Sequence, residues 1–161
     1  MLRIKTKGIA TAASQSLKWE QRLDRNALRL IRREANILRG DIVRGIRSQA
    51  PGGDKFLPLS PQTIRRKGSS KALIDRGDLI RSVNVSDFEG GKVIFVGVNR
   101  QEQDSEGNML EDIAATHEYG SGPSASPQIP PRPFLRPAFR EWLKVGPPRF
   151  AQDLAKSMGV A

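Results

Sequence analysis

The apolar residues of the N-terminal third recur every three or four positions. Between Ser16 and Ser48 they are Leu23, Ala27, Leu30 with Ile31, Leu38, Ile42 and Ile46. This spacing places them along one face and predicts a single long helix over residues 16–48. Residues 1–15 are predicted to be an extended arm, because Leu2 and Ile4 alternate there with basic side chains.

Two short helices are predicted next. Ser60 is a favoured N-cap residue and Pro61 a favoured first helical residue, so a helix should run from there to about Lys67. Gly77 indicates a sharp turn, and Asp78 is predicted to cap one or two further helical turns.

A β-hairpin is predicted between Val83 and Val98. Its turn falls at residues 89–92, where two glycines lie between Glu89 and Lys92. The second strand is a continuous, largely β-branched run, Val-Ile-Phe-Val-Gly-Val, which predicts a strand covered on both faces.

The C-terminal half alternates between polar and proline-rich segments. Residues 99–111 are almost wholly polar and predict a long exposed loop. The prolines at 130, 131, 133 and 137 stiffen the chain around Phe134, which predicts a docking segment. A helix should follow over about 137–145, then a break at Gly146-Pro147-Pro148 and a last short helix.

Together these elements predict one α+β domain, in which a small, mostly antiparallel sheet packs against the long N-terminal helix and short helices flank it. The domain, residues 1–161, divides into an arm (1–15), a long basic helix (16–48), short helices and the hairpin (56–98), an exposed loop (99–111), a docking segment with a helix (112–145) and a C-terminal helix (146–161).

Charge adds a class of partner. The 161 residues contain 27 Lys and Arg against 17 Asp and Glu, a net charge of +10, so a polyanion is an expected partner. Part of the excess forms a stripe along the long helix and could face DNA; its members are Arg22, Arg25, Arg29, Arg32 and Arg33. The alternative is a solvated face with internal ion pairs.

Candidate chemistry is sparse. The chain has no cysteine, which excludes disulfides and thiolate sites, and it has one histidine, His117. His117 and the adjacent Glu118 would point about 100° apart on a helix, so they do not form a ready base and orienting group. No nucleotide-binding, hydrolase or zinc-protease motif is present, and no run is apolar enough to span a membrane. We therefore expect no enzyme activity, no metal and no cofactor.

Five segments in order carry a resemblance: FLPLSPQTIRRKG, LIDRGDLIRSV, KVIFVGV, IAATHEYG and IPPRPFLRPAF. The set is similar to the tail-completion and head–tail joining (neck) proteins of bacteriophages, including the Mu-like virion morphogenesis family and lambdoid minor tail proteins. The matching positions are Pro58, Leu59, Ser60, Thr63, Lys67, Leu73, Asp75, Gly77, Leu79, Ser82, His117 to Gly120 and Pro131 to Leu135. Arg76 and Pro131 stand where the family more often has Thr and Ala.

The resemblance implies a structural subunit and no enzyme. Such subunits assemble into a ring between the head connector and the tail terminator or tube proteins. A hexamer is the favoured copy number and a dodecamer the alternative. Double-stranded DNA passes through this ring without regard to sequence. The ring assembles in the host cytoplasm and is part of the neck or tail of the virion. The main alternative is a basic nucleic-acid-binding regulator or packaging protein. The third candidate function is an enzyme of unrecognised type.

Contacts between subunits are expected at two places. The acidic loop should pair with a neighbour's arginine-rich face, and the proline-stiffened segment should anchor Phe134 in a neighbour. The candidate residues are Glu102, Asp104, Glu106, His117, Glu118, Tyr119, Arg132, Pro133, Phe134 and Leu135.

Overall fold

A computed structural model describes residues 7–160, with side chains from Ser14 onward. The long helix is present as α1 (Lys7–Ser48), about 63 Å long at 1.5 Å per residue. The extended arm predicted over 1–15 is wrong for residues 7–15, where three alanines and the absence of proline let the helix continue. The predicted alternation at Leu2 and Ile4 lies outside the described residues.

The two short helices lie where they were predicted. In α2 (Pro61–Lys67) the Ser60 hydroxyl accepts the N–H of Thr63 at 3.2 Å, which confirms the cap. In α3 (Asp78–Ser82) the N-cap is Gly77, at φ 86°. Asp78 is the first helical residue, so its predicted role as the cap is wrong by one position.

The hairpin is confirmed, with β1 (Val83–Phe88) antiparallel to β2 (Val93–Val98) and Val83 opposite Val98. Within the described residues these two strands form the whole sheet. Its inner face packs on α1. The prediction that β2 is covered on both faces is wrong, because the side chains on its other face, including Val93 and Phe95, are exposed.

The loop after β2 is shorter and more ordered than predicted. It ends when α4 (Leu110–Tyr119) begins, so the predicted boundary at 111 is wrong. The Asp104 carboxylate accepts the backbone N–H groups of Glu106 and Asn108 at 2.8 and 2.9 Å. The Asn108 side-chain amide also donates to this carboxylate at 2.9 Å, and that bond, followed by the backbone bonds, lowers the pKa of Asp104.

The last helix, α5 (Leu135–Met158), runs through Pro147 and Pro148 without a break. The predicted break at 146–148 is wrong because Gly146 has a packing role. The Trp142 ring lies against it, and a Cβ at Gly146 would be 2.3 Å from Trp142 Cε2. The packing of α5 along α1 stabilises the helix despite the backbone donors that the prolines lack.

A buried carboxylate ties α1 to α5. Glu34 is 2% exposed and accepts from Arg149 Nε at 2.9 Å, Arg149 Nη2 at 2.6 Å and Trp142 Nε1 at 3.3 Å. The bond from Arg149 lowers the pKa of Glu34, outweighing the effect of burial. Arg33 also pairs with Glu34 at 3.2 Å, so removing Arg149 would leave this buried charge with the weaker of its two cationic partners.

The core lies where α1, the hairpin, α4 and the start of α5 meet. Its buried residues include Leu38, Ile42, Ile46, Leu73, Leu79, Val83, Val98, Leu110, Ala114, Phe134 and Ala138. The fold is α+β, as the sequence predicted.

Candidate assembly and nucleic-acid surfaces

The end of α4 is joined to the start of α5 by Glu118. This carboxylate is 3% exposed and accepts the backbone N–H groups of Phe134, Leu135 and Arg136 at 2.8, 3.0 and 3.0 Å. Burial would raise its pKa, but the hydrogen bonds outweigh burial and the net pKa is lowered. Glu118 thus places a negative charge at the helix N-terminus, where it is stabilising.

Arg132 joins two further segments. Its guanidinium is buried and donates to the carbonyls of Leu57 at 2.8 Å and Pro58 at 3.0 Å. Its backbone N–H donates to the carbonyl of His117 at 2.7 Å. Arg132 therefore holds the proline-rich segment against both the segment that precedes α2 and the end of α4.

His117 borders a groove of about 1040 Å³ that Lys67 and Arg132 also line. Burial, followed by repulsion from Arg132 and Lys67, lowers the pKa of His117 to about 4. The imidazole is therefore neutral at pH 7, and its buried Nδ1 has no hydrogen-bond partner in the described part of the chain. Nor do the described residues contain a group of three side chains suited to a metal ion.

These contacts change the predicted subunit interface. Phe134 is 0% exposed in the chain's own core, so its prediction as an anchor in a neighbour is wrong. Glu118 and Arg132 are likewise buried within the chain, and Leu135 and Pro133 are half-buried. Tyr119 remains available, since it is largely exposed beneath the guanidinium of Arg136 at 4.7 Å.

The acidic loop is partly occupied by its own chain. Glu106 pairs with Arg76 at 3.0 Å, and the Glu102 carboxylate accepts from Asn99 at 3.3 Å. Asp104 bonds its own loop, as described above. The expected pairing with a neighbour stays a prediction, and Glu106, whose side chain is exposed, is the member best placed for it.

The five arginines of the predicted stripe separate into two groups. Arg32 pairs with Asp87 at 2.5 Å, Arg33 pairs with Asp153 and Glu34, and Arg22 donates to the Ser157 carbonyl at 2.9 Å. For Arg32 and Arg33 the alternative of internal ion pairs holds, whereas Arg22 is bonded to a backbone carbonyl. The side chains of Arg25 and Arg29 are exposed and make no hydrogen bond or ion pair with any described residue.

Arg25 and Arg29 lie one turn apart on the side of α1 that faces away from the core. At about 100° per residue, the pair is turned roughly 100° to 140° from the buried Ile42. The same band contains the exposed Lys18 and Arg47. The chain thus presents a basic ridge along α1, which can approach a phosphate backbone without reading bases.

An apolar surface that the sequence did not reveal covers the other side of the hairpin. Phe88, Val93 and Phe95 are 54%, 48% and 42% exposed and share one face of the sheet. We call these three residues the outer hairpin face. The apolar run of β2 is the signal for this face, because a strand that is apolar on both faces has either a second covering layer or an exposed apolar side.

No helix in the described part of the chain is long and apolar enough to cross a membrane. No family model matches the chain, and no curated protein or solved structure matches it at a significant level.

Proposed function

We propose that the chain is a structural protein of a bacteriophage neck, which forms a ring between the head connector and the tail tube and lets DNA pass. The observation that carries this proposal is the meeting of three segments of the resemblance. Arg132 of the fifth segment bonds Leu57 and Pro58 of the first and His117 of the fourth. Segments that are far apart in the sequence therefore form one bonded junction, which supports their being a set.

The basic ridge is suited to this role. A duplex passing through a ring needs phosphate neutralisation that is independent of sequence, and a tight grip would impede it. Arg25 and Arg29 offer charge on long side chains at an exposed helix surface, and internal ion pairs do not consume it. We propose that the ridge faces the channel.

The partners follow from the same proposal. The chain assembles with copies of itself, as a hexamer in preference to a dodecamer. The ring contacts the connector on one side and tail terminator or tube proteins on the other. It assembles in the bacterial cytoplasm and resides in the virion neck. The protein needs no cofactor and catalyses no reaction in this role.

Imaging of particles tests the proposal directly. Phage particles from a host that produces this chain with an added surface tag should show the tag as a ring between head and tail. Particles from a strain with the gene deleted should be heads and tails that fail to join. Joined, infectious particles that lack the chain would refute the role.

A basic nucleic-acid-binding regulator or packaging protein is the second candidate, and the unpaired Arg25 and Arg29 favour it equally. The two roles differ in affinity. A regulator should bind isolated duplex DNA at moderate salt and prefer one sequence, whereas a neck subunit should bind weakly and without preference. Titration of the purified chain with specific and scrambled duplexes across a salt series separates them.

A further inference from the structure

The hairpin has two free edges, and that of β2 is the less protected; β1 contains Asp87, and its Val85 N–H already donates to Asn84 Oδ1 at 3.0 Å. β2 contains no charged residue and no proline, the features by which proteins usually block the edge of a sheet. Arg39 donates to the carbonyl of Val83, but no other described segment makes a backbone hydrogen bond to the hairpin strands. The hairpin therefore has the features of a sheet that is completed by another strand.

The hairpin of a second copy can supply the missing strand. β1 and β2 each have six residues, and one free edge belongs to each strand. If β2 of one copy pairs with β1 of the next, the backbone groups that are still open on both edges gain partners, whereas the Val83 carbonyl and the Val85 N–H already have theirs. Such a contact joins two different surfaces, so it repeats head to tail and can close into a ring.

Charges at the turn favour this pairing over the pairing of two β2 strands. Glu89 ends the β1 side of the turn and Lys92 begins the β2 side, and neither makes an ion pair within the described residues. Antiparallel pairing of β2 with a neighbour's β1 brings Lys92 beside Glu89 of the partner subunit. Pairing of β2 with a second β2 would instead bring Lys92 near Arg100 of the partner subunit, where like charges repel.

We propose that copies of this chain associate by antiparallel pairing of β2 with β1 of the next copy, through the edges of the hairpin. The inference rests on the self-association contained in the proposed function. The pairing also sets the outer hairpin faces side by side, so Phe95 of one copy can pack against Phe88 of the partner subunit. The joined faces form a continuous apolar strip around the assembly.

A mixing experiment tests the charge pair without relying on either variant alone. Glu89→Lys and Lys92→Glu are purified separately, and their association is measured by sedimentation velocity. Each variant places like charges at every contact, so we expect self-association about fivefold weaker than in the native chain. An equimolar mixture should recover it, because opposite charges meet again when the variants alternate. The exposed Asp54→Lys and Lys55→Glu are the matched controls and should change nothing.

A second variant tests the edge itself. Val93→Lys adds a charge to an exposed position of β2, so the chain should still fold, which circular dichroism checks, while association is lost. Val145→Lys, at a similarly exposed position on α5, should associate normally. Native association in Val93→Lys, a mixture that fails to recover, or a native chain that stays monomeric would each overturn the inference.

The outcomes separate the inference from the neck role. Rings that form in spite of Val93→Lys would exclude the hairpin contact and leave the neck role standing. Hairpin-dependent rings that are missing from joined particles would exclude the neck role and leave the hairpin contact standing.

Discussion

Glu118 holds Arg136 through both backbone and side chain. Its Oε1 accepts the N–H of Arg136 at 3.0 Å and the Nε of the same residue at 2.9 Å. The Arg136 Nη2 also donates to the backbone carbonyl of Glu118 at 2.7 Å. Two helices that are separated by a proline-rich connector are thus locked end to end, and the connector itself does not have to fix their geometry.

Replacing Glu118 should destabilise the whole fold. Glu118→Gln removes the charge and turns an amide group towards backbone donors, so the free energy of unfolding should fall by about 2–4 kcal/mol. Urea denaturation measures this. Glu141→Gln is the control, since Glu141 is an exposed carboxylate paired with Lys144, and its loss should cost less than about 1 kcal/mol. Equal losses in the two variants would contradict the importance of the buried junction.

Phe134 should behave as a core residue. Phe134→Ala removes a side chain that has no exposed surface, and the free energy of unfolding should fall by about 3–5 kcal/mol. Phe139→Ala provides the comparison, because Phe139 is exposed and stacked on Trp142 at 5.6 Å. Its loss should cost about 1 kcal/mol. A Phe134→Ala chain with native stability that fails only in assembly would restore the anchor role.

The sequence predicts local structure well where one residue decides it. Ser60 and Pro61 start α2, and Gly77 adopts the left-handed conformation that its turn requires. Phe134 is different, because an aromatic residue in a stiff segment is equally suited to a neighbour's pocket or to its own core. Only the approach of α1 and α4 makes the choice, and that approach depends on contacts distant in the sequence.

The site shows the same limit. Helical spacing is enough to predict the basic stripe. Which of its arginines form ion pairs depends on the carboxylates that other elements bring near them. Asp153 arrives from α5 and Asp87 from β1, so Arg33 and Arg32 are paired, whereas Arg25 and Arg29 stay free of ion pairs with the described residues. The spacing of residues along α1 does not show where α5 and β1 pack, and so it does not show which arginines meet these two carboxylates.

Gly146 and Gly40 should respond to alanine in opposite directions. At Gly146 the added Cβ would collide with the Trp142 ring and disturb its bond to Glu34, so Gly146→Ala should destabilise the fold by about 1–3 kcal/mol. At Gly40 the nearest atom would be a guanidinium nitrogen of Arg44 at 3.4 Å, which can move. Gly40→Ala should stabilise by about 0.5–1 kcal/mol. Thermal melting of both variants checks the pair, and a tolerated Gly146→Ala would contradict the packing.

His117 should make stability fall on mild acidification. The unfolded chain protonates this imidazole below about pH 6.5, whereas the folded chain keeps it neutral down to a pKa of about 4. In that window the unfolded state binds more protons, so stability decreases as pH falls, by at most about 3 kcal/mol.

The histidine is the only one in the chain, so proton NMR can follow its titration directly. His117→Gln should show a shallower loss of stability between about pH 6.5 and pH 5, because it lacks the imidazole that the unfolded chain protonates there. The same slope in both proteins, or an imidazole that titrates near its ordinary pKa, would contradict the burial.

The basic ridge faces either DNA or a neighbouring subunit, and charge reversal at Arg25 and Arg29 distinguishes the two. Reversing both to Glu should leave the fold unchanged, because neither side chain bonds any described residue. Reversing Arg32 and Arg33 should instead destabilise the fold, since their pairs with Asp87 and Asp153 would become repulsions. The first double variant therefore separates the role of the surface from the stability of the chain.

If the ridge lines the channel, the Arg25→Glu/Arg29→Glu chain should form rings normally and retain less DNA. Each lost phosphate contact lowers the slope of log affinity against log salt by about 0.9, so the slope should fall by about 2. Arg65→Glu/Arg100→Glu carries the same change in net charge at exposed positions elsewhere and should keep most of the slope. Loss of rings before loss of DNA binding would assign the ridge to a contact with an acidic face of a neighbouring subunit, because reversing the two charges would turn that attraction into repulsion.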